Sequence, residues 1–110
     1  MFKINILNNW KKYYNSALDF YKKKDYKRAL ELFDEAKKLE PKNYKIPYNM
    51  ALCYQNLGED ITALSFYKIA HKLCPEDLDT IYNMGCIYFS KNSIDEAVDL
   101  FKKVIEADSK

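Results

Sequence analysis

Glycine is nearly missing from this chain: Gly58 and Gly85 are the only two in 110 residues, beside three prolines, one tryptophan and one histidine. Two isolated glycines cannot form a Gly-rich phosphate loop, and so few breakers leave little room for the close-set turns of a β-rich fold. His71 is the sole histidine, and its nearest cysteine in sequence, Cys74, comes with no third ligand or base at a recognisable spacing. Neither a metal site nor a catalytic centre is expected from such a set, and no cofactor. Cys53, Cys74 and Cys86 are odd in number and form no CxxC pair, which argues against a secreted disulfide framework and for reduced intracellular thiols. No apolar run approaches the roughly 20 residues of a membrane span, and the broken apolar run in residues 1–9 is shorter than the roughly 7–15 residues of a signal-peptide core. The expectation is a soluble, cytoplasmic protein with no membrane partner.

What the chain does have is apolar and charged material in helix-forming proportion, 48% hydrophobic and 31% charged. That is enough to offset the ordering entropy of a single domain of this length. The net charge of +2 hides a gradient. Residues 1–55 carry 12 Lys and Arg against 6 Asp and Glu, a balance of +6, whereas residues 56–110 carry 6 against 10, a balance of −4. The two halves are electrically complementary.

Laying the chain over itself reveals a period of 34 residues, set by Pro41 and Pro75 and kept by four further columns. Small residues recur at Ala17, Ala51 and Gly85 and at Ala29, Ala63 and Ala97; large aromatics recur at Phe20, Tyr54 and Tyr88 and at Phe33, Tyr67 and Phe101. Small side chains let two antiparallel helices approach, and aromatics fill the wider space beside the contact. Helical spacing of apolar residues at Tyr26, Ala29, Leu30, Phe33, Ala36 and Leu39, and again at Ile94, Ala97, Val98, Phe101 and Val104, makes the second half of each unit an amphipathic helix. Asp25 and Ser93 read as N-caps, and Gly58 as a helix end. First helices are expected near 10–23, 46–57 and 78–91, and second helices near 26–39, 60–73 and 94–107. The units run 10–43, 44–77 and 78–110, after an extension of residues 1–9. Pro47 should delay its helix, since proline is tolerated only in the first turn.

These columns, closed by Pro41 and Pro75, resemble the tetratricopeptide repeat (TPR) motif over residues 10–109. The resemblance implies an all-α, right-handed α-solenoid of three tandem helix-turn-helix repeats. Tyr13, Pro47 and Ile81 stand where the family's early tryptophan belongs, and Ser109 where its closing proline belongs. First helices of such folds line the inside of a curved groove. Here that surface repeats a Tyr-Asn pair, Tyr14 with Asn15, Tyr48 with Asn49 and Tyr82 with Asn83. An amide offers both donor and acceptor to a peptide backbone, and tyrosine adds apolar area with a polar tip. The resemblance thus implies a protein or peptide ligand. Lys11, Leu18, Lys45, Leu52, Cys86 and Phe89 would set specificity, unless the asparagines serve only to bond neighbouring helices. Some family members grip an acidic C-terminus with Lys, Asn and Arg. At the matching positions this chain has Tyr14, Leu18, Asp79 and Asn83, with Asn49 alone in agreement, so that ligand is not expected.

The last helix presents a second apolar stripe, Ile94, Val98 and Ile105, where the matching positions are Tyr26, Leu30 and Lys37 in the first unit and Asp60, Leu64 and His71 in the second. This face is expected either to be covered by further units of a longer array or to be the site of self-association into a homo-oligomer. The charge gradient favours head-to-tail stacking and the common symmetry of homodimers favours a two-fold pair; both stay open at the level of sequence. Phe2, Ile4, Ile6 and Leu7 form a further apolar element expected to cover the first helix. Two other functions compete. One is a structural adaptor working through its ends or convex side. The other is RNA binding by Lys11, Lys12, Lys22, Lys23, Lys24, Lys27 and Arg28, interleaved with Tyr13, Tyr14, Tyr21 and Tyr26. Nucleic acid is the less favoured, because the repeat core accounts for those aromatics.

Overall fold

The computed structural model describes residues 2–108, with side chains from Asn9 onward. Six helices follow in order: α1 (Phe2–Lys22), α2 (Tyr26–Leu39), α3 (Lys45–Asn56), α4 (Asp60–Leu73), α5 (Leu78–Ser90) and α6 (Ile94–Asp108). They form three hairpins, each packed on the next mainly through its second helix against the neighbour's first. The molecule measures 50 × 31 × 19 Å, with a radius of gyration of 15.2 Å. A compact chain of this length would have a radius of about 13 Å, so the elongation is that of a solenoid.

The repeat columns explain the packing. Ala17, Ala51, Ala29, Ala63 and Ala97 are fully buried at the helix crossings, and Phe33 and Tyr67 fill the space beside them. At Gly85 the ring of Phe101 comes so close that an added Cβ would lie 2.6 Å from Phe101 Cε1. The core therefore divides into two clusters that span the junctions: Ile46, Met50 and Cys53 of α3 pack on the first hairpin, and Ile81, Met84 and Ile87 of α5 on the second.

The turn inside each hairpin uses the same device at the 34-residue step. Lys24, Gly58 and Asn92 all have left-handed φ, at 65°, 79° and 65°. The residue after each donates its backbone N–H back to the preceding helix, Asp25 to Phe20 at 2.9 Å, Glu59 to Tyr54 at 2.8 Å and Ser93 to Tyr88 at 2.8 Å, the 6→1 bond of a Schellman cap. Asp25 caps α2 as expected, Oδ1 accepting from the N–H of Arg28. Ser93 precedes α6, and its backbone carbonyl accepts from the N–H of Ala97.

Two expectations are corrected. Pro47 does not delay α3, which begins at Lys45 and carries Pro47 buried in its first turn, where a missing N–H costs no helical bond. The first helix does not begin near residue 10 but at Phe2, so residues 2–9 continue α1. The side chains of Phe2, Ile4, Ile6 and Leu7, and all of Ser109, lie outside the described residues.

Candidate functional site

The three Tyr-Asn pairs lie on α1, α3 and α5, but Asn49 and Asn83 each reach backwards into the preceding unit. Asn49 Nδ2 donates to Tyr14 Oη at 3.0 Å and to the Lys45 carbonyl at 2.8 Å. Asn83 Nδ2 donates to Tyr48 Oη at 3.2 Å. Two turns along, Asn56 Nδ2 donates to Tyr21 Oη at 3.3 Å and to the Leu52 carbonyl at 2.8 Å. The tyrosine rings are held edge-on, Tyr14 on Phe33 at 5.7 Å and Tyr48 on Tyr67 at 5.8 Å. The amide nitrogens of Asn49 and Asn83 thus fasten repeat to repeat. Asn15 has no unit before it to grip. It is exposed and makes no hydrogen bond among the described residues.

Between the units lies a concavity of about 220 Å³ lined by Tyr14, Tyr44, Lys45, Tyr48, Asn49, Asp77 and Asp79. All three repeats contribute to it. Its charge runs in sequence: Lys11, Lys45 and Asp79 occupy one column at the 34-residue step, and Asp77 adds a second carboxylate. The field of those carboxylates is felt by the tyrosines. Asp77 is the main cause that raises the Tyr44 hydroxyl above its usual value, and Asp79 adds to the burial that raises Tyr48. Tyr44 and Asp77 were not among the residues expected from sequence; in the structure Asp77 also caps α5, its Oδ2 accepting from the Thr80 N–H at 3.1 Å and the Thr80 hydroxyl at 2.6 Å. A second hollow of about 200 Å³, lined by Ser16, Asp19, Phe20 and Lys23, belongs to α1 alone and has no converging elements.

The basic residues of the first unit are exposed at the α1–α2 turn and along α1. The neighbouring aromatics are already occupied. Tyr21 packs on Tyr26 at 5.5 Å, Trp10 on Tyr14 at 5.9 Å, and Lys23 and Arg28 lie over Phe20 at 5.8 and 5.6 Å. His71 Nδ1 is buried without a hydrogen bond, and among the described residues no three His, Cys, Asp or Glu side chains gather to hold a metal ion. No described helix is long and apolar enough to cross a membrane.

The two ends of the solenoid differ. At the C-terminal end Ile94, Val98 and Ile105 are exposed, the last by 64%, and so are Tyr82 by 52% and Phe89 by 61%. Tyr82 and Phe89, expected in the groove, are exposed, and the Tyr82 ring lies 5.8 Å from that of Phe101 on α6. At the N-terminal end the positions matching the buried Ile46, Met50 and Cys53 are Lys12, Ser16 and Asp19. One end is polar, the other apolar.

The tetratricopeptide repeat family matches the chain over residues 10–43 and again over 78–110. No curated protein matches it by sequence. Among solved structures, MamA superposes with a TM-score of 0.87 at 24% identity, over 91% of this chain and 58% of MamA. The chain therefore spans little more than half the length of that neighbour. The second TPR domain of Spaghetti (RPAP3), solved with the HSP90 peptide SRMEEVD, superposes with a TM-score of 0.85 at 18% identity, over 96% of this chain and 97% of that one. The Sgt2 TPR domain from Aspergillus fumigatus gives 0.82 at 22% identity, covering 93% and 68%. With both junctions stitched in phase, six helices in three hairpins and two family matches in register with them, the chain belongs to the tetratricopeptide repeat family.

Proposed function

We propose that this chain is a protein-interaction module that holds an extended peptide segment in its concave groove. The carrying observation is the concavity built jointly by Tyr14, Lys45, Tyr48, Asn49 and Asp79, with residues from all three repeats. Its floor is aromatic, its walls are charged, and Oδ1 of Asn49 and Asn83 accepts hydrogen bonds from a peptide backbone. Lys11, Asn15, Leu52 and the groove-side edges of Tyr82, Asn83 and Phe89 extend the contact.

The RPAP3 domain was solved with an acidic peptide; this groove suits a different one. Carboxylates at Asp77 and Asp79 stand where an acidic terminus would need cations, so the ligand carries a cationic side chain toward the third unit and an anionic or neutral one toward Lys11 and Lys45. RNA is the weaker reading, since Tyr14, Tyr21 and Tyr26 are engaged within the fold. An adaptor role through the ends is compatible with the same module. A peptide array probed with the wild type, Lys45→Glu and Asp79→Lys tests the groove. Each variant should shift the bound set toward the opposite charge, and an unchanged set in both would remove the groove from consideration. Asn15→Ala is the clean test of an amide, because Asn15 makes no hydrogen bond among the described residues.

Self-association is supported by a second observation, the cluster of Tyr82, Phe89, Ile94, Val98 and Ile105 exposed at one end. Contiguous apolar surface of this kind marks interaction sites more often than inert surface.

A further inference from the structure

The C-terminal face carries four apolar residues on one stripe where α2 has Lys37 and α4 has Asp60 and His71 at the matching positions. On α6 the outward residues Ile94, Val98 and Ile105, with Phe101 at the inner edge, are spaced by four, three and four. At about 100° per residue they fall within about 60° of one another. The spacing reads the same in both directions: reversal about the point midway between Asp99 and Leu100 exchanges Ile94 with Ile105 and Val98 with Phe101. Asp95 and Lys102 flank the stripe on the side away from the buried Ala97 and Leu100 and the half-buried Val104, both are exposed, and neither is ion-paired among the described residues.

Head-to-tail stacking fails on this geometry despite the opposite net charges of the halves. The receiving end would meet Ile94, Val98 and Ile105 with Lys12, Ser16 and Asp19, setting two charged side chains against an apolar stripe. The apolar end has a better match in itself.

We propose, building on the self-association reading above, that the chain forms a two-fold dimer in which α6 lies antiparallel on α6 of a second copy. Ile94 packs on the second copy's Ile105 and Val98 on its Phe101. Asp95 pairs with the second copy's Lys102, and Lys102 with its Asp95. The e-like flanks of antiparallel helices meet in this way, and the two-fold axis makes every such pair occur twice.

Charge reversal tests this in the full chain by analytical ultracentrifugation. Asp95→Lys sets lysine against lysine twice, and Lys102→Asp sets aspartate against aspartate twice, so each variant alone should associate about tenfold more weakly. Mixed in equal amounts they form a heterodimer with both pairs opposite in sign, and association should return to near the wild-type strength. Both positions are exposed helix sites, and unchanged helical circular dichroism will confirm folding. A wild type that stays monomeric at high concentration overturns the self-association reading and the dimer with it. A wild type that associates while the mixture shows no recovery overturns the antiparallel α6 geometry alone and leaves association to another surface.

Discussion

Several single residues depart from what their neighbours in the repeat do, and each departure has a measurable cost. Lys24 adopts φ 65° where the equivalent position holds Gly58 at 79°. An L side chain in this region costs roughly 1–2 kcal/mol, partly offset by the entropy that glycine loses on folding. Lys24→Gly should therefore stabilise the protein by about 0.5–1 kcal/mol in urea unfolding, and a loss of stability would show that the Lys24 side chain holds contacts of greater worth. Tyr67 is the only aromatic of its column with a hydroxyl, which donates to Gln55 Oε1 from a fully buried ring. Phe33 and Phe101 show that the site accepts phenylalanine, so Tyr67→Phe should cost about 1 kcal/mol, the net worth of one hydrogen bond. Cys53 is fully buried, and burial pushes its thiol from 9.0 up to about 12. A thiol reagent near neutral pH should leave Cys53 unmodified in the native protein and label it on denaturation.

Helix ends decide how the hairpins join. The repeat positions Lys24, Gly58 and Asn92 were legible only in part: glycine advertised the left-handed turn of the second unit, whereas lysine gave no signal and the period alone placed it. Asp77 is a different case, for it caps α5 through Thr80 while lining the groove. Asp77→Ala should cost about 1 kcal/mol of stability as the loss of an N-cap. Asp77→Asn keeps the cap and removes only the charge, so this variant should retain stability while changing ligand preference. Equal loss of stability in both would mean that the carboxylate charge, not the capping geometry, holds α5. The Tyr-Asn pairs lie on the same border. Their spacing was visible, yet whether an amide faces a ligand or the preceding tyrosine depends on the distance between helices, which no linear pattern contains.

At the scale of the whole molecule, a solenoid whose units touch only their neighbours should be least stable at its ends. At dilution, where the chain is monomeric, hydrogen exchange should find the slowest amides in α3 and α4, which are flanked on both sides, and faster exchange in α6; protection of α6 that rises with protein concentration would show the C-terminal face covered by a second copy. The buried acids add a dependence on pH. Burial favours the neutral forms of Cys53, Tyr14, Tyr48 and Tyr67, all raised, whereas the unfolded chain ionises at the ordinary values of 9.0 for cysteine and 10.0 for tyrosine. Above that range the unfolded state binds fewer protons, so stability is intact below about pH 9 and falls as the pH rises toward the folded values. Thermal unfolding in reducing buffer at about pH 8 and about pH 10.5 should show the loss.

The primary sequence by itself determined the helices, their pairing and their phase, because small and aromatic side chains recurring every 34 residues admit one way of stacking hairpins. It also marked Ile94, Val98 and Ile105, since an apolar stripe needs only helical spacing to be seen. Only the tertiary structure decided that Asn49 and Asn83 spend their amide nitrogens on Tyr14 and Tyr48, that Asp77 and Tyr44 complete the groove, and that the first unit ends in a polar face while the third does not. Those outcomes depend on distances between residues 35 or so positions apart and on which flank of a helix a neighbour covers. A periodic sequence repeats its side chains; the stack gives its first and last copies different surroundings.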